Sequence, residues 1–116
     1  MKLYIDDKPV DVIWEDNESV AALKKLAGEN NLVIQMSRFG GFEQVGYIGR
    51  NLPRRDVQTS TSPGDIVLYS GNQIVVFHGY NSWAYTRLGK IQGLDQNELR
   101  MLLGDHDVQI SLVVEN

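Results

Sequence analysis

The chain has no cysteine. That removes disulfide staples, thiolate zinc sites and cysteine nucleophiles in one step. Histidine is nearly as scarce. His78 and His106 are the two, with no ligand-like spacing between them, so neither a metal nor any other cofactor is expected. The G-x-S-x-G motif is absent and nothing else suggests a serine hydrolase. No apolar run approaches the ~20 residues of a membrane-spanning helix. The start, Met1-Lys2-Leu3-Tyr4-Ile5-Asp6-Asp7, lacks the apolar core of a signal peptide. These absences predict no membrane association and a cytoplasmic location, or export if a leader has been trimmed from the chain. Positive charge is also short. Eleven Lys plus Arg stand against fifteen Asp plus Glu, a net charge of −4. Phosphate backbones call for a basic field, so no nucleic-acid partner is expected.

What is present is enough for one core. At 116 residues the chain predicts a single domain over residues 1–116. An apolar share of 42% needs no metal or disulfide to hold it together. The charges are unevenly placed. Residues 1–36 carry −3, residues 37–90 carry +3 and residues 91–116 carry −4. Five of the six cations in the middle segment are Arg. Arg presents a planar fork of donors suited to carboxylate or phosphate, so this middle segment is a candidate anion-facing patch.

The coarse elements follow from periodicity. Residues 2–5 and Val10 to Trp14 read as a hairpin around an Asp6-Asp7-Lys8-Pro9 turn. Asp16 or Asn17 caps a helix through Ala27, with Val20, Leu23 and Ala27 on one face and Gly28 as its stop. Leu32 to Met36 reads as a strand. Residues 65–78 carry the clearest β signal. Gly71-Asn72 as a two-residue loop sets Ile66 against Phe77 and Asp65 against His78. Both faces of that hairpin are apolar, so both are predicted to be covered. The Asp65 pairing would raise the His78 pKa. Asp95 with Glu98 resembles a capping box, Leu94 with Leu99 a staple, and Gly104 ends this second helix. Val108 to Val114 alternates as a final strand. Many short strands with two helices predict a mainly β, α+β, barrel-like fold.

The remaining motifs are weak. Glycines at 40, 41, 46 and 49 fit neither G-x-G-x-x-G nor a P-loop, and read as turns and bulges of a bending sheet. Trp83 and Tyr85 lie in a polar stretch, Tyr80 to Arg87, read as a loop. Aromatics beside Arg can make a binding floor.

Several stretches carry a family resemblance. Phe39-Gly40-Gly41-Phe42-Glu43, Leu52-Pro53, Pro63-Gly64-Asp65-Ile66-Val67-Leu68-Tyr69 and Ser82 to Ile91 occur in that order. Gly64-Asp65-Ile66 and Leu88-Gly89-Lys90-Ile91 are the most specific of them. Together they resemble the small cyclophilin-like domains of bacteria and archaea. The resemblance implies a closed barrel of about eight strands with two helices capping it. It also implies, by family analogy, a flavodoxin-like protein as a partner. True cyclophilins use an Arg in a Phe-His-Arg-type strand and a Gln-Gly-Gly-Asp segment. This chain has neither; Arg54 or Arg55 with Gln58 is a faint echo.

Two functional readings follow. In the first the chain is a non-catalytic binding module without catalytic residues. A barrel-side cleft lined by Arg54, Arg55, Gln58, Trp83, Tyr85 and Arg87 would hold a small anionic molecule or an extended peptide. Arg55 and Arg87 would share the pocket, with Trp83 or Tyr85 as a wall. In the second it is a peptidyl-prolyl isomerase-like enzyme with altered active-site residues.

Overall fold

Two tight turns set the register of the sheet. In the computed structural model, which describes residues 1–115, β1 (Lys2–Ile5) and β2 (Lys8–Trp14) pair with Ile5 opposite Lys8. The turn is therefore two residues, Asp6 and Asp7, and not four. Both are left-handed, at φ 47° and 66°, as the twist of a two-residue hairpin requires. Asp tolerates that conformation. Asp6 is further held by the Gln109 amide at 2.9 Å and His106 at 2.8 Å. These two bonds depress its pKa, the backbone one most.

The second turn joins β7 (Asp65–Tyr69) to β8 (Gln73–Phe77). Tyr69 pairs with Gln73, so the loop holds three residues, Ser70, Gly71 and Asn72. Ser70 and Gly71 have φ of 55° and 77°. The loop's carbonyls serve the neighbouring chain. Ile48 donates to the Asn72 carbonyl at 2.9 Å and Leu52 to that of Gly71 at 2.7 Å. The expected two-residue loop was one residue too short. A one-residue slip turns every side chain of a strand to the other face. Ile74 and Val76 therefore join Ile66 and Leu68 in the main core, while Val75 and Phe77 join Val67 in a second cluster. Both faces are buried, as their composition predicts, except at Tyr69, which is exposed.

The helices obey their caps. Asn17 accepts from the Val20 amide to start α1 (Glu18–Glu29). The helix does not stop at Gly28; it runs one residue further, to an extended Asn30. A glycine stops a helix by turning left-handed, and Gly28 keeps a negative φ. In α2 (Gln96–Leu103) the Asp95–Glu98 capping box is complete and Gly104 caps the end. Val20, Leu23, Ala27, Leu99 and Leu103 are buried against the sheet.

The remaining strands are β3 (Leu32–Gln35), β4 (Ser37–Phe39), β5 (Glu43–Tyr47), β6 (Val57–Thr61), β9 (Asn81–Gln92) and β10 (Gln109–Val113). Nine strands form one antiparallel path, β3-β10-β1-β2-β9-β7-β8-β5-β4, and β6 pairs with β9 beside it. The count exceeds eight partly because the run from Leu32 to Phe39 breaks at Met36, whose amide bonds to Val108 instead. The result is a nearly closed barrel. Its ends meet where Gly46 of β5 lies against Ile34 and Met36. A Cβ at Gly46 would stand 2.5 Å from Met36 Sδ and 2.8 Å from the Gln35 carbonyl oxygen, so only glycine permits that approach. Among the described residues no helix is long and apolar enough to cross a membrane.

Candidate functional site

Strand β9 organises the outside of the barrel. Its first half pairs with β6 and its second with β2, while β7 runs along its other edge. The segment from Ser82 to Arg87 is thus strand, not loop. The hairpin's Val67, Val75 and Phe77 face outward beneath Tyr85, with Phe42 and Val45 packed alongside. A run of ring contacts crosses this face. Phe39 meets Phe42 edge-on, Phe42 stacks on Phe77, and Phe77 meets Tyr85 at 5.7 Å. Tyr85 in turn meets Tyr69 at 6.1 Å and 67°. Such pairs add about 0.5–1.5 kcal/mol beyond burial.

A pocket of about 450 Å³ opens over this face. Phe39, Tyr69, Trp83 and Tyr85 supply its aromatic walls, and Val45 and Val75 complete the apolar lining. Its polar groups are Glu43, Gln73 and Asn81. Asn81 Nδ2 donates to the Tyr85 hydroxyl at 2.8 Å. Trp83 is 57% exposed at the rim, whereas Tyr85 is buried. Burial raises the Tyr85 pKa, against the Asn81 bond, which lowers it.

Glu43 is the unusual member. It is 6% exposed, and among the described residues its carboxyl has no hydrogen-bond or ion-pair partner. Desolvation of the charged form pushes its pKa up to about 7. Its neighbour Gln44, on the opposite face of β5, is fully buried and satisfied. Its amide donates to the Leu103 and His106 carbonyls and accepts from the Val108 amide. The contrast follows from strand alternation: adjacent residues look into different surroundings.

The expected site residues divide between places. Arg54, Arg55, Tyr85 and Arg87 line a second cleft of about 550 Å³, beside the N-terminus of α1. Trp83 lies in the aromatic pocket instead, and Tyr85 borders both. Gln58 lines neither. It pairs with Ala84 across the β6–β9 ladder, so it faces away from Trp83 and Tyr85, and it bonds to Ser82. The cations of the second cleft are largely matched. Arg54 lies 3.6 Å from Asp56, Arg87 lies 3.4 Å from Asp65, and Asp16 and Glu18 share the lining. Arg55 makes no ion pair among the described residues. Asp65 does not face His78. Its carboxylate is held by Arg87, by Lys90 at 3.2 Å and by the Ser62 amide at 2.8 Å. His78 is buried, and desolvation, aided by Arg100, lowers its pKa instead of raising it.

A model of the cyclophilin-like family matches residues 3–115. The chain belongs to the cyclophilin-like family. No curated protein and no solved structure matches it. The nearly closed antiparallel barrel is consistent with that membership. Within this cyclophilin-like barrel, the pocket is walled mainly by aromatics, and its lining contains no Arg or Lys.

Sequence reasoning missed most of this cyclophilin-like pocket. Phe39, Glu43 and Tyr69 come from three strands that pair only after long-range closure. The one local signal was Glu43 beside Phe42 and two residues from Val45, an acid on a face that alternation makes apolar. Phe39-Gly40-Gly41-Phe42-Glu43 entered only through the resemblance.

Proposed function

We propose that this cyclophilin-like domain is a non-catalytic binding module whose site is the aromatic pocket over β5, β7, β8 and β9. The observation that carries this reading is the lining: four aromatic side chains and two valines around one partnerless carboxyl. Largely apolar concave surfaces with few placed polar groups are the usual form of ligand sites. The ligand would be a small molecule or one side chain of an extended peptide. A fragment screen followed by NMR tests this. Hits are expected to move the Trp83 indole signal and the amides of β9 near Tyr85. Trp83→Ala should weaken them while changing stability by less than ~0.5 kcal/mol, as surface changes usually do. Hits that cluster elsewhere on the barrel would overturn it.

A second reading keeps an anionic ligand in the cleft of Arg54, Arg55 and Arg87, favoured by the unpaired Arg55. The acids at 16, 18, 56 and 65 weigh against it. A phosphate titration that shifts the Arg55 side chain, abolished by Arg55→Ala, would support that cleft. Isomerase chemistry needs a donor aimed at the twisting imide, and the aromatic pocket has no Arg to offer. An assay on a proline peptide is expected to show no acceleration.

A further inference from the structure

We propose that the aromatic pocket receives an alkylammonium group, its charge seated between the Glu43 carboxylate and the rings of Tyr69, Trp83 and Tyr85. This rests on the reading of that pocket as the binding site, and names the chemistry of its ligand.

Three observations converge. First, Glu43 is the single charged residue in the lining, it is more than nine-tenths buried, and no described residue bonds to it. Its oxygens open onto the pocket, since among the described residues the one enclosed side-chain oxygen without a partner is Asn72 Oδ1. The surrounding walls still desolvate the charge, and a cation entering the pocket would offset that cost. Second, the rings are disposed as a corner. Tyr69 and Tyr85 stand at 67° with centroids 6.1 Å apart, and Trp83 and Phe39 extend the walls. Aromatic faces attract ammonium groups through the ring quadrupole, most strongly where water is excluded. Third, the pocket lining supplies no cation of its own. Arg87 and Lys90 pair with Asp65 and Arg54 pairs with Asp56, and among the described residues no cation lies within ion-pair distance of Glu43. An anion would be repelled by the carboxylate, and a neutral apolar ligand would leave it uncompensated.

The titratable groups facing Glu43 are Tyr69 and Tyr85; Gln73 and Asn81 are neutral. With its pKa raised to about 7 by burial, Glu43 is about half protonated at neutral pH. A bound cation favours the ionised form. Binding is therefore linked to proton release and tightens as pH rises.

The test uses three probes on the whole chain, followed by NMR at pH 6 and pH 8. Choline carries the ammonium. The neutral alcohol 3,3-dimethyl-1-butanol has the same shape without charge. A short acetylated peptide with one trimethyllysine presents the group on a side chain. Choline is expected to move the Trp83 indole signal and to bind about tenfold more tightly at pH 8 than at pH 6, tracking Glu43 ionisation. Glu43→Gln should abolish that pH dependence and weaken choline about tenfold at pH 8. The alcohol should respond to neither change. A peptide tighter than choline assigns the group to a lysine side chain; equal affinity assigns it to a free amine. Either result supports the proposal. Equal binding of choline and the alcohol, unmoved by pH, overturns the ammonium assignment while leaving the pocket as a binding site. No response at Trp83 to any probe overturns both. Should Glu43→Gln fail to fold, the comparison of choline with the alcohol at the two pH values decides alone.

Discussion

Lys90 stands directly opposite Asp65 in the β7–β9 ladder, with its ammonium 3.2 Å from the carboxylate. Arg87 reaches the same oxygen from two strand positions nearer the hairpin, across a bulge at Ile66/Val67. The Asp65 carboxylate is buried, while both cations remain half exposed. The anion is therefore the member whose loss costs most. Asp65→Ala should destabilise the domain by about 2–4 kcal/mol, because it strands the Ser62 amide and two cations together. Arg87→Ala should cost only about 1 kcal/mol, since Lys90 still faces the carboxylate. Urea unfolding of the two variants checks the order. Equal costs would mean that the carboxylate's burial is not what matters.

Glu43 gives stability a pH dependence of defined sign. Its folded pKa, about 7, lies above the ordinary value of 4.5. The folded state thus holds the proton more tightly than the unfolded chain. Its contribution is fully present below pH 4.5 and is lost as pH rises through 7, by at most about 3 kcal/mol. Thermal unfolding of the wild type should fall across that window relative to Glu43→Gln. Parallel curves for the two proteins would show that the carboxyl is solvated.

His78 acts in the opposite sense. Burial, with Arg100 nearby, lowers its pKa below 6.5. The stability it supports is present above pH 6.5 and lost as pH falls through the folded value. An NMR titration should place its midpoint below 6.5. Arg100→Gln should move that midpoint upward without reaching the ordinary value, because desolvation is the larger cause. A midpoint above 6.5 would contradict this account.

Gly46 closes the barrel. Gly46→Ala would drive a methyl into Met36 Sδ, Ile34 Cγ2 and the Gln35 carbonyl. Overpacking of this kind costs about 1–3 kcal/mol, and here part of the obstacle is backbone that cannot rotate away. Hydrogen exchange should rise first along β3, β4 and β5. Unchanged exchange there would mean that the seam is loose.

Local chemistry determined a large part of this protein. The Asp95–Glu98 box, the Asn17 cap and the two-faced apolar hairpin are readable because each depends on residues a few positions apart. The cyclophilin-like character was also legible, in the ordered run of Gly64-Asp65-Ile66 and Leu88-Gly89-Lys90-Ile91. What only the tertiary structure decided is which face meets which neighbour. The β7–β8 loop takes three residues because the amides of Ile48 and Leu52 donate to its carbonyls, and that long-range demand sets the register. One residue of slip then separated Asp65 from His78 and gathered Val67, Val75 and Phe77 beneath Tyr85. The same closure brought Glu43, Tyr69 and Trp83 to one pocket from segments up to 40 residues apart. Alternation along a strand says that neighbouring side chains part company; only the pairing of strands says what each will find.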